Sequence, residues 1–208
     1  MTSLIDGARA LGIELTDDQA GKLVAHLDLV DEWGELMNLT AIRERNAQVT
    51  KHLLDSLSVA PWLRGNRIAD VGSGAGFPGI PLAIVRPGMQ FVLIDSTGKK
   101  CRFIEHVRDT LGLTNVEVVQ SRAESYRPEQ KFDMVLARAV GPVEDLVRNA
   151  GGLVAGGGRL LAMKGRYPTD ELARKLNGWK VITVRPLHVP GLDEERHLVE
   201  LAHSHEKT

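Results

Sequence analysis

The chain has 208 residues, 43% of them hydrophobic and 25% charged, which supports a sizeable core and excludes disorder as the main state. Its longest unbroken apolar run, Ile80–Val85, has six residues, far short of the roughly 20 that span a bilayer. With one cysteine and no basic-then-apolar leader, neither a disulfide nor export is expected, and the cytoplasm is favoured. The net charge of −1 and nine aromatic residues (3 Trp, 2 Tyr, 4 Phe) argue against a nucleic-acid partner at face value.

The charge is unevenly spread. Residues 1–60 carry 5 basic and 10 acidic side chains, and residues 61–208 carry 21 and 17. The first part, residues 1–62, reads as a helical extension. Thr16 and Gln19 stand in capping-box spacing. Leu23, Leu27, Val30, Leu36 and Met37 follow at near-helical intervals, with Asp28, Asp31 and Glu32 on other positions. A second helix is expected over 47–59, ending before Pro61.

From Asn66 the pattern becomes that of an α/β domain, residues 63–208. Strands are expected at Arg67–Val71, Phe91–Asp95, Val116–Gln120, Phe132–Ala137 and Arg159–Met163, with helices such as Lys99–Leu111 and Val143–Leu153 between them. This alternation builds a parallel sheet covered on both faces. Two late strands, Lys180–Val184 and His197–Ala202, are joined by a loop with Pro186, Pro190 and Gly191, which suits an antiparallel pair.

The first strand runs into Asp70-Val71-Gly72-Ser73-Gly74-Ala75-Gly76-Phe77-Pro78-Gly79. Glycines serve where the backbone turns sharply and a ligand must approach it. Ligands of open α/β sheets bind beyond the carboxyl ends of the strands. Asp95 ends the second strand, where a carboxylate can accept from both hydroxyls of a ribose. The motif abutting the strand is Asp70-x-Gly-x-Gly-x-Gly. An acidic residue there repels a pyrophosphate but tolerates a sulfonium. This favours S-adenosylmethionine over a dinucleotide, with a plain structural turn as the third reading.

Other signals are weak. Gly98-Lys99 lacks the flanking residues of a phosphate loop. Cys101 is expected to be a small helix residue, and His203 and His205 part of a frayed tail rather than a metal site. Asn38-Leu39-Thr40 matches a glycosylation acceptor, which has no meaning in a cytoplasmic chain.

Several motifs in order resemble the bacterial small-subunit rRNA guanine-N7 methyltransferases, the glucose-inhibited division protein B family. They are Asn38-Leu39-Thr40, His52-Leu53-Leu54-Asp55-Ser56, the run from Asp70 to Ala83, Asp95-Ser96-x-x-Lys99-Lys100, Ser121-Arg122-Ala123-Glu124, Ala137-Arg138-Ala139, Met163-Lys164-Gly165 and Leu192-Asp193-x-Glu195-Arg196-His197-Leu198-Val199. The resemblance implies a Rossmann-like class I methyltransferase fold. It implies transfer from S-adenosylmethionine to N7 of a guanine, position 527 in the 530 loop of 16S rRNA. Gly72, Phe77, Ala123, Glu124 and Arg138 correspond to the family's cofactor contacts, with Gly74 and Asp95 beside them. Phe77 replaces a common leucine, and Glu194 a usual glycine.

Guanine N7 carries a lone pair and no proton, so no general base is expected; with one cysteine, and with His203 and His205 read as a frayed tail, no metal is expected either. Rate should come from alignment and exclusion of water. Arg138 is expected to order the cofactor pocket or bind the guanine O6 side, or else to pair with Glu124 or Asp95. Lys99, Lys100, Arg102, Lys164, Arg166 and Arg196, with Arg138, are expected to face RNA, either 16S rRNA or a 30S subunit precursor. The enzyme is expected to be a monomer. The competing functions are a small-molecule methyltransferase or NAD-type oxidoreductase, and an RNA-binding module without turnover. The few aromatics suggest recognition by shape and phosphate rather than by stacked bases.

Overall fold

The computed structural model describes residues 3–37, 39–139 and 141–204; Asn38, His205 and the side chain of Leu36 lie outside the described set. The chain opens with α1 (Leu4–Ala10) and α2 (Asp17–Met37). The capping box is reciprocal: Thr16 Oγ1 accepts from Gln19 N at 3.2 Å, and Gln19 Oε1 accepts from Thr16 N at 3.1 Å.

The single helix expected over 47–59 is composite. It consists of α3 (Arg45–Gln48), a π-helical turn Val49–Leu54 and α4 (Asp55–Leu57), followed by a 3₁₀ turn Ala60–Trp62. A π turn widens the helix and re-aims the side chains after it, something apolar periodicity cannot reveal. His52 and Asp55 lie on and just after this turn.

The sheet then builds in alternation: β1 (Arg67–Val71), α5 (Gly79–Val85), β2 (Gln90–Asp95), α6 (Gly98–Leu111), β3 (Val116–Gln120), β4 (Phe132–Arg138), α7 (Val143–Ala150) and β5 (Val154–Lys164). A short α8 (Thr169–Leu172), β6 (Trp179–Pro186) and β7 (His197–His203) complete it. The order is β3-β2-β1-β4-β5-β7-β6. The first five strands are mutually parallel, and β7 runs antiparallel to both β5 and β6. The expected antiparallel pair is present, with the later strand on the inside of the sheet. His203 therefore belongs to β7 and packs on Trp179 with ring centroids 4.0 Å apart, in place of the frayed end expected for it.

Side chains of one strand alternate between two apolar clusters, as the pleat requires. Ile68 and Leu93 join Leu23, Leu27, Leu53 and Phe103 on one face. Ala69, Val71 and Ile94 join Leu146, Leu153 and Trp179 on the other. The N-terminal helices and the sheet thus share one cluster. Val71 pairs with both Ile94 and Ala137, and Asp95 with Gln120. This register brings the carboxyl ends of β1, β2, β3 and β4 to one edge.

Candidate functional site

A cavity of about 470 Å³ lies at that edge. Four segments supply its wall: Val71–Ala75 with Phe77, Ile94–Thr97 with Lys100, Ser121–Glu124, and Arg138 with Ala139. Leu39 and His52 close it from the N-terminal helices.

The glycine turn is held by its own backbone. Gly72 N donates to Ile94 O at 2.8 Å, and Gly76 N to Ser73 O at 2.8 Å. Gly72 and Gly74 both have positive φ (72° and 59°), a region that L side chains rarely adopt. Asp95 is buried and clasps the turn: Oδ2 accepts from Gly74 N at 3.1 Å and Oδ1 from Thr97 N at 2.8 Å. Each carboxylate oxygen retains a further lone pair.

Asp70 has a different place from the one its sequence position suggests. It is fully buried and does not line the cavity. Its Oδ2 accepts from Gly79 N at 2.9 Å, tying β1 to the start of α5, while Oδ1 has no partner among the described residues. Burial raises its pKa to about 6, against the hydrogen bond from Gly79. A carboxyl there is a clasp beneath the turn rather than a counter-charge for a sulfonium.

Phe77 is the centre of a stack that sequence reasoning missed. Its ring lies 4.5 Å from that of His26 and 4.7 Å from that of His52, with the Arg138 guanidinium 5.4 Å from its centroid. His26 Nε2 donates to Ala75 O at 2.8 Å, and His52 Nε2 bonds Thr40 Oγ1 at 2.8 Å. Burial lowers both imidazoles to about 4; the neighbouring His52 adds to this at His26, and Arg138 adds to it at His52. Both rings are neutral near pH 7. The helical extension therefore grips the glycine turn through two uncharged histidines. Isolated histidines on apolar helix faces carry no sequence signal for this.

A second cavity, of about 500 Å³, adjoins the first and shares His52, Arg138 and Ala139 with it. Ion pairs hold its walls. Buried Asp55 accepts from Arg138 Nη1 through Oδ2 at 3.2 Å and from Arg196 Nε through Oδ1 at 3.0 Å. Glu194 bonds Lys51 Nζ at 2.6 Å and Arg196 Nη2 at 3.1 Å. Lys164 Nζ meets Glu171 at 2.7 Å and the Gly141 carbonyl at 2.6 Å. Arg138 thus pairs with Asp55, not with Glu124 or Asp95. Asp55 was visible only as part of a motif, because its partners lie 83 and 141 positions away.

The basic residues proposed from sequence fall into three groups. Lys100 lines the first cavity, and exposed Lys99 and Arg102 flank it on α6. Lys164 and Arg196 line the second cavity and are ion-paired. Arg166 is exposed and makes no hydrogen bond or ion pair among the described residues. Cys101 is buried, with its thiol donating to Asp95 O at 3.3 Å, and burial raises its pKa. No cluster of metal-ligating side chains occurs among the described residues, and no helix there is long and apolar enough to cross a membrane.

The family model described as rRNA small subunit methyltransferase G matches residues 19–199. A ribosomal RNA small subunit methyltransferase G from Marinobacter nauticus is 48% identical over 199 residues, covering 96% of this chain and 93% of its own. The protein of that name from Enterobacter sp. is 46% identical over 194 residues, covering 93% and 94%. The chain belongs to the rRNA small subunit methyltransferase G family.

Among solved structures, a glycopeptide N-methyltransferase complexed with S-adenosyl-L-methionine superposes with a TM-score of 0.62 at 11% identity, covering 73% of this chain and 87% of its own. A ribosomal protein L11 methylase from Lactobacillus delbrueckii subsp. bulgaricus superposes with a TM-score of 0.55 at 14% identity, covering 79% and 81%. At such identities the likeness is one of fold, a Rossmann-like methyltransferase sheet.

Within this member of the rRNA small subunit methyltransferase G family, the first cavity fits S-adenosylmethionine by its donor set. Asp95 presents a buried carboxylate whose lone pairs remain for ribose hydroxyls. Gly74 lines the wall where a Cβ would meet no atom nearer than 3.8 Å. Ala123 and Glu124 offer a backbone turn and an acceptor on the same cavity wall.

Proposed function

We propose that this chain transfers a methyl group from S-adenosylmethionine to N7 of a guanine, position 527 in the 530 loop of 16S rRNA. The observation that carries this reading is the junction of the two cavities at Arg138, His52 and Ala139. One cavity suits a nucleoside with a ribose, and the other has a cationic wall suited to RNA.

Bound S-adenosylmethionine would supply the electrophilic methyl group. Asp95 would accept from the ribose hydroxyls, and Glu124 would receive the adenine end. Gly72 and Gly74 let the chain pass close beneath. Phe77, clamped by two neutral imidazoles, gives this pocket an apolar floor. Arg138, fixed by Asp55, lies where a guanidinium can donate to guanine O6. N7 is nucleophilic as it stands, so no side chain has to remove a proton. His52, held neutral and bonded to Thr40, serves packing. Alignment and water exclusion remain as the protein's contribution.

Lys99, Lys100, Arg102 and Arg166 would approach phosphates around the two mouths. The substrate would be 16S rRNA or a precursor of the 30S subunit, met in the cytoplasm by a monomer. The test compares 16S rRNA from a strain lacking this protein with that of its parent. Reduction and aniline treatment cleave RNA at N7-methylguanine. Cleavage in the parent's 530 loop that vanishes in the deletion strain is the expected result. An identical pattern in both overturns the proposal.

A further inference from the structure

We propose that Arg166 and Tyr167 form a one-nucleotide subsite beside the second cavity, with Tyr167 stacking an unpaired base next to the methylated guanine. This rests on the functional reading above and extends it to a flanking nucleotide. Among the described residues, three large apolar side chains are exposed: Ile5, Val24 and Tyr167. Ile5 and Val24 belong to the N-terminal helices, whereas Tyr167, 52% exposed, stands three residues beyond the end of β5.

Its surroundings give this ring a place. It meets His197 edge to face at 5.5 Å, and His197 Nδ1 lies 3.1 Å from the Gly165 carbonyl. Gly165, Lys164 and Arg196, the sequence neighbours of this pair, all line the second cavity. The ring is thus anchored next in the chain to residues that line a cationic cavity. Arg166, the preceding residue, is exposed, and no described residue neutralises it. An unpaired guanidinium adjacent in sequence to an exposed aromatic matches the two halves of a nucleotide. The cation meets the phosphate, and the ring meets a base face of any sequence. Lys164 and Arg196 already hold carboxylates, so Arg166 is the better placed of the three for a phosphate. The sequence-based expectation of recognition without stacking changes at this one residue.

The experiment uses small-subunit particles from a strain lacking this protein, and RNA extracted from them. Methyl transfer from labelled S-adenosylmethionine is measured for the parent, Tyr167→Ala, Tyr167→Phe, Tyr167→Trp and Arg166→Ala, with cofactor affinity by calorimetry. Tyr167→Ala is expected to raise KM for the RNA substrate about tenfold, with kcat and cofactor Kd unchanged, since stacking contributes to binding. Phe and Trp should restore KM. Arg166→Ala should lower the salt slope of binding by about one. An unchanged KM in Tyr167→Ala, or a Phe variant as poor as Ala, overturns the stacking role.

A second readout does not need turnover. The indole of Tyr167→Trp should be quenched by RNA or particles beyond the response of the parent's own tryptophans. Absence of extra quenching with both substrates also overturns the subsite. A parent protein that methylates neither substrate while this quenching persists would remove the functional reading and leave the subsite standing.

Discussion

The two cavities are built on opposite principles. The first is made by backbone: glycines at positive φ, amide-to-carboxylate bonds to Asp95, and a turn closed on itself. The second is made by charges from distant parts of the chain that satisfy one another. Asp55 holds two arginines, and Glu194 holds a lysine and an arginine. A backbone cavity is fixed before its ligand arrives. An ion-paired one presents cations that are already occupied, so a polyanion must compete with the protein's own carboxylates.

The largest expected effect breaks the second cavity. Asp55→Ala leaves Arg138 and Arg196 without their shared, buried partner, and removing one member of such a set costs about 3–5 kcal/mol. Urea denaturation should show that loss, and methyl transfer to rRNA should fall with it. Stability within about 0.5 kcal/mol of the parent would mean that the arginines find other partners.

Next in size is a blow to the first cavity alone. A Cβ at Gly79 would lie 2.7 Å from Asp70 Oδ2 and 2.8 Å from Leu93 Cγ. Overpacking of this kind costs about 1–3 kcal/mol, so Gly79→Ala should lower Tm and weaken cofactor binding, read by calorimetry. Undiminished cofactor affinity in a folded variant would show that the clasp at Asp70 does not set the turn.

Acid should separate the two regions more gently. His26 and His52 titrate near 4 in the fold and at 6.5 when unfolded, so below pH 6.5 the unfolded chain takes up two protons that the native stack refuses. Their contribution is present above 6.5 and is lost as the pH falls towards 4. Asp70 acts in the opposite sense. Its pKa of about 6 in the fold, against 3.8 unfolded, makes the native state bind one proton more in that window. Two against one leaves a net loss on the order of 1 kcal/mol per pH unit around pH 5. Urea midpoints measured from pH 6.5 to 4.5 check the slope. A flat profile would mean that the imidazoles are not held neutral.

The smallest effect concerns Glu194, which is half exposed. Lys51 first and Arg196 second hold its carboxyl below the usual range. Glu194→Gln should release Lys51 and loosen Arg196, which keeps Asp55, tightening RNA binding about two- to threefold and steepening its salt dependence, as filter binding at several salt concentrations would show. Unaltered affinity would place the pair outside the RNA path.

The first cavity was largely legible in the sequence. Glycine spacing and a strand ending in Asp95 are local signals, the Ser121–Glu124 run showed through the family resemblance, and the alternation of elements placed them at one sheet edge. Asp70 misled because sequence shows a carboxylate beside the glycines and not which way it turns; the Gly79 amide captured it. The second cavity was hardly legible. Asp55 meets Arg138 and Arg196 only after a π turn re-aims it and β7 brings its own start beside β5. Sequence showed Lys164 and Arg196 as bases but not their ion pairs: Glu171 and Glu194 are near in sequence, yet only the fold turns them onto these cations, and Asp55 is 141 positions from Arg196. His26 gave no signal and His52 showed only as part of a motif, since a neutral stacked histidine differs from a surface one only in its surroundings.

The sheet order has a consequence for the order of assembly. β7 is made after β6 yet lies between β5 and β6. While the polypeptide is being synthesised, β5 ends as an open parallel edge, and β6 has no neighbour to join, until residues 197–203 have emerged. An unpaired edge is the part of a sheet most prone to pairing with another chain. The second cavity depends on the same late strand, because Arg196 arrives with it. A nascent chain stalled before that point would hold a formed glycine turn beside an unfinished second cavity, and premature truncation there should yield aggregates rather than a partial enzyme.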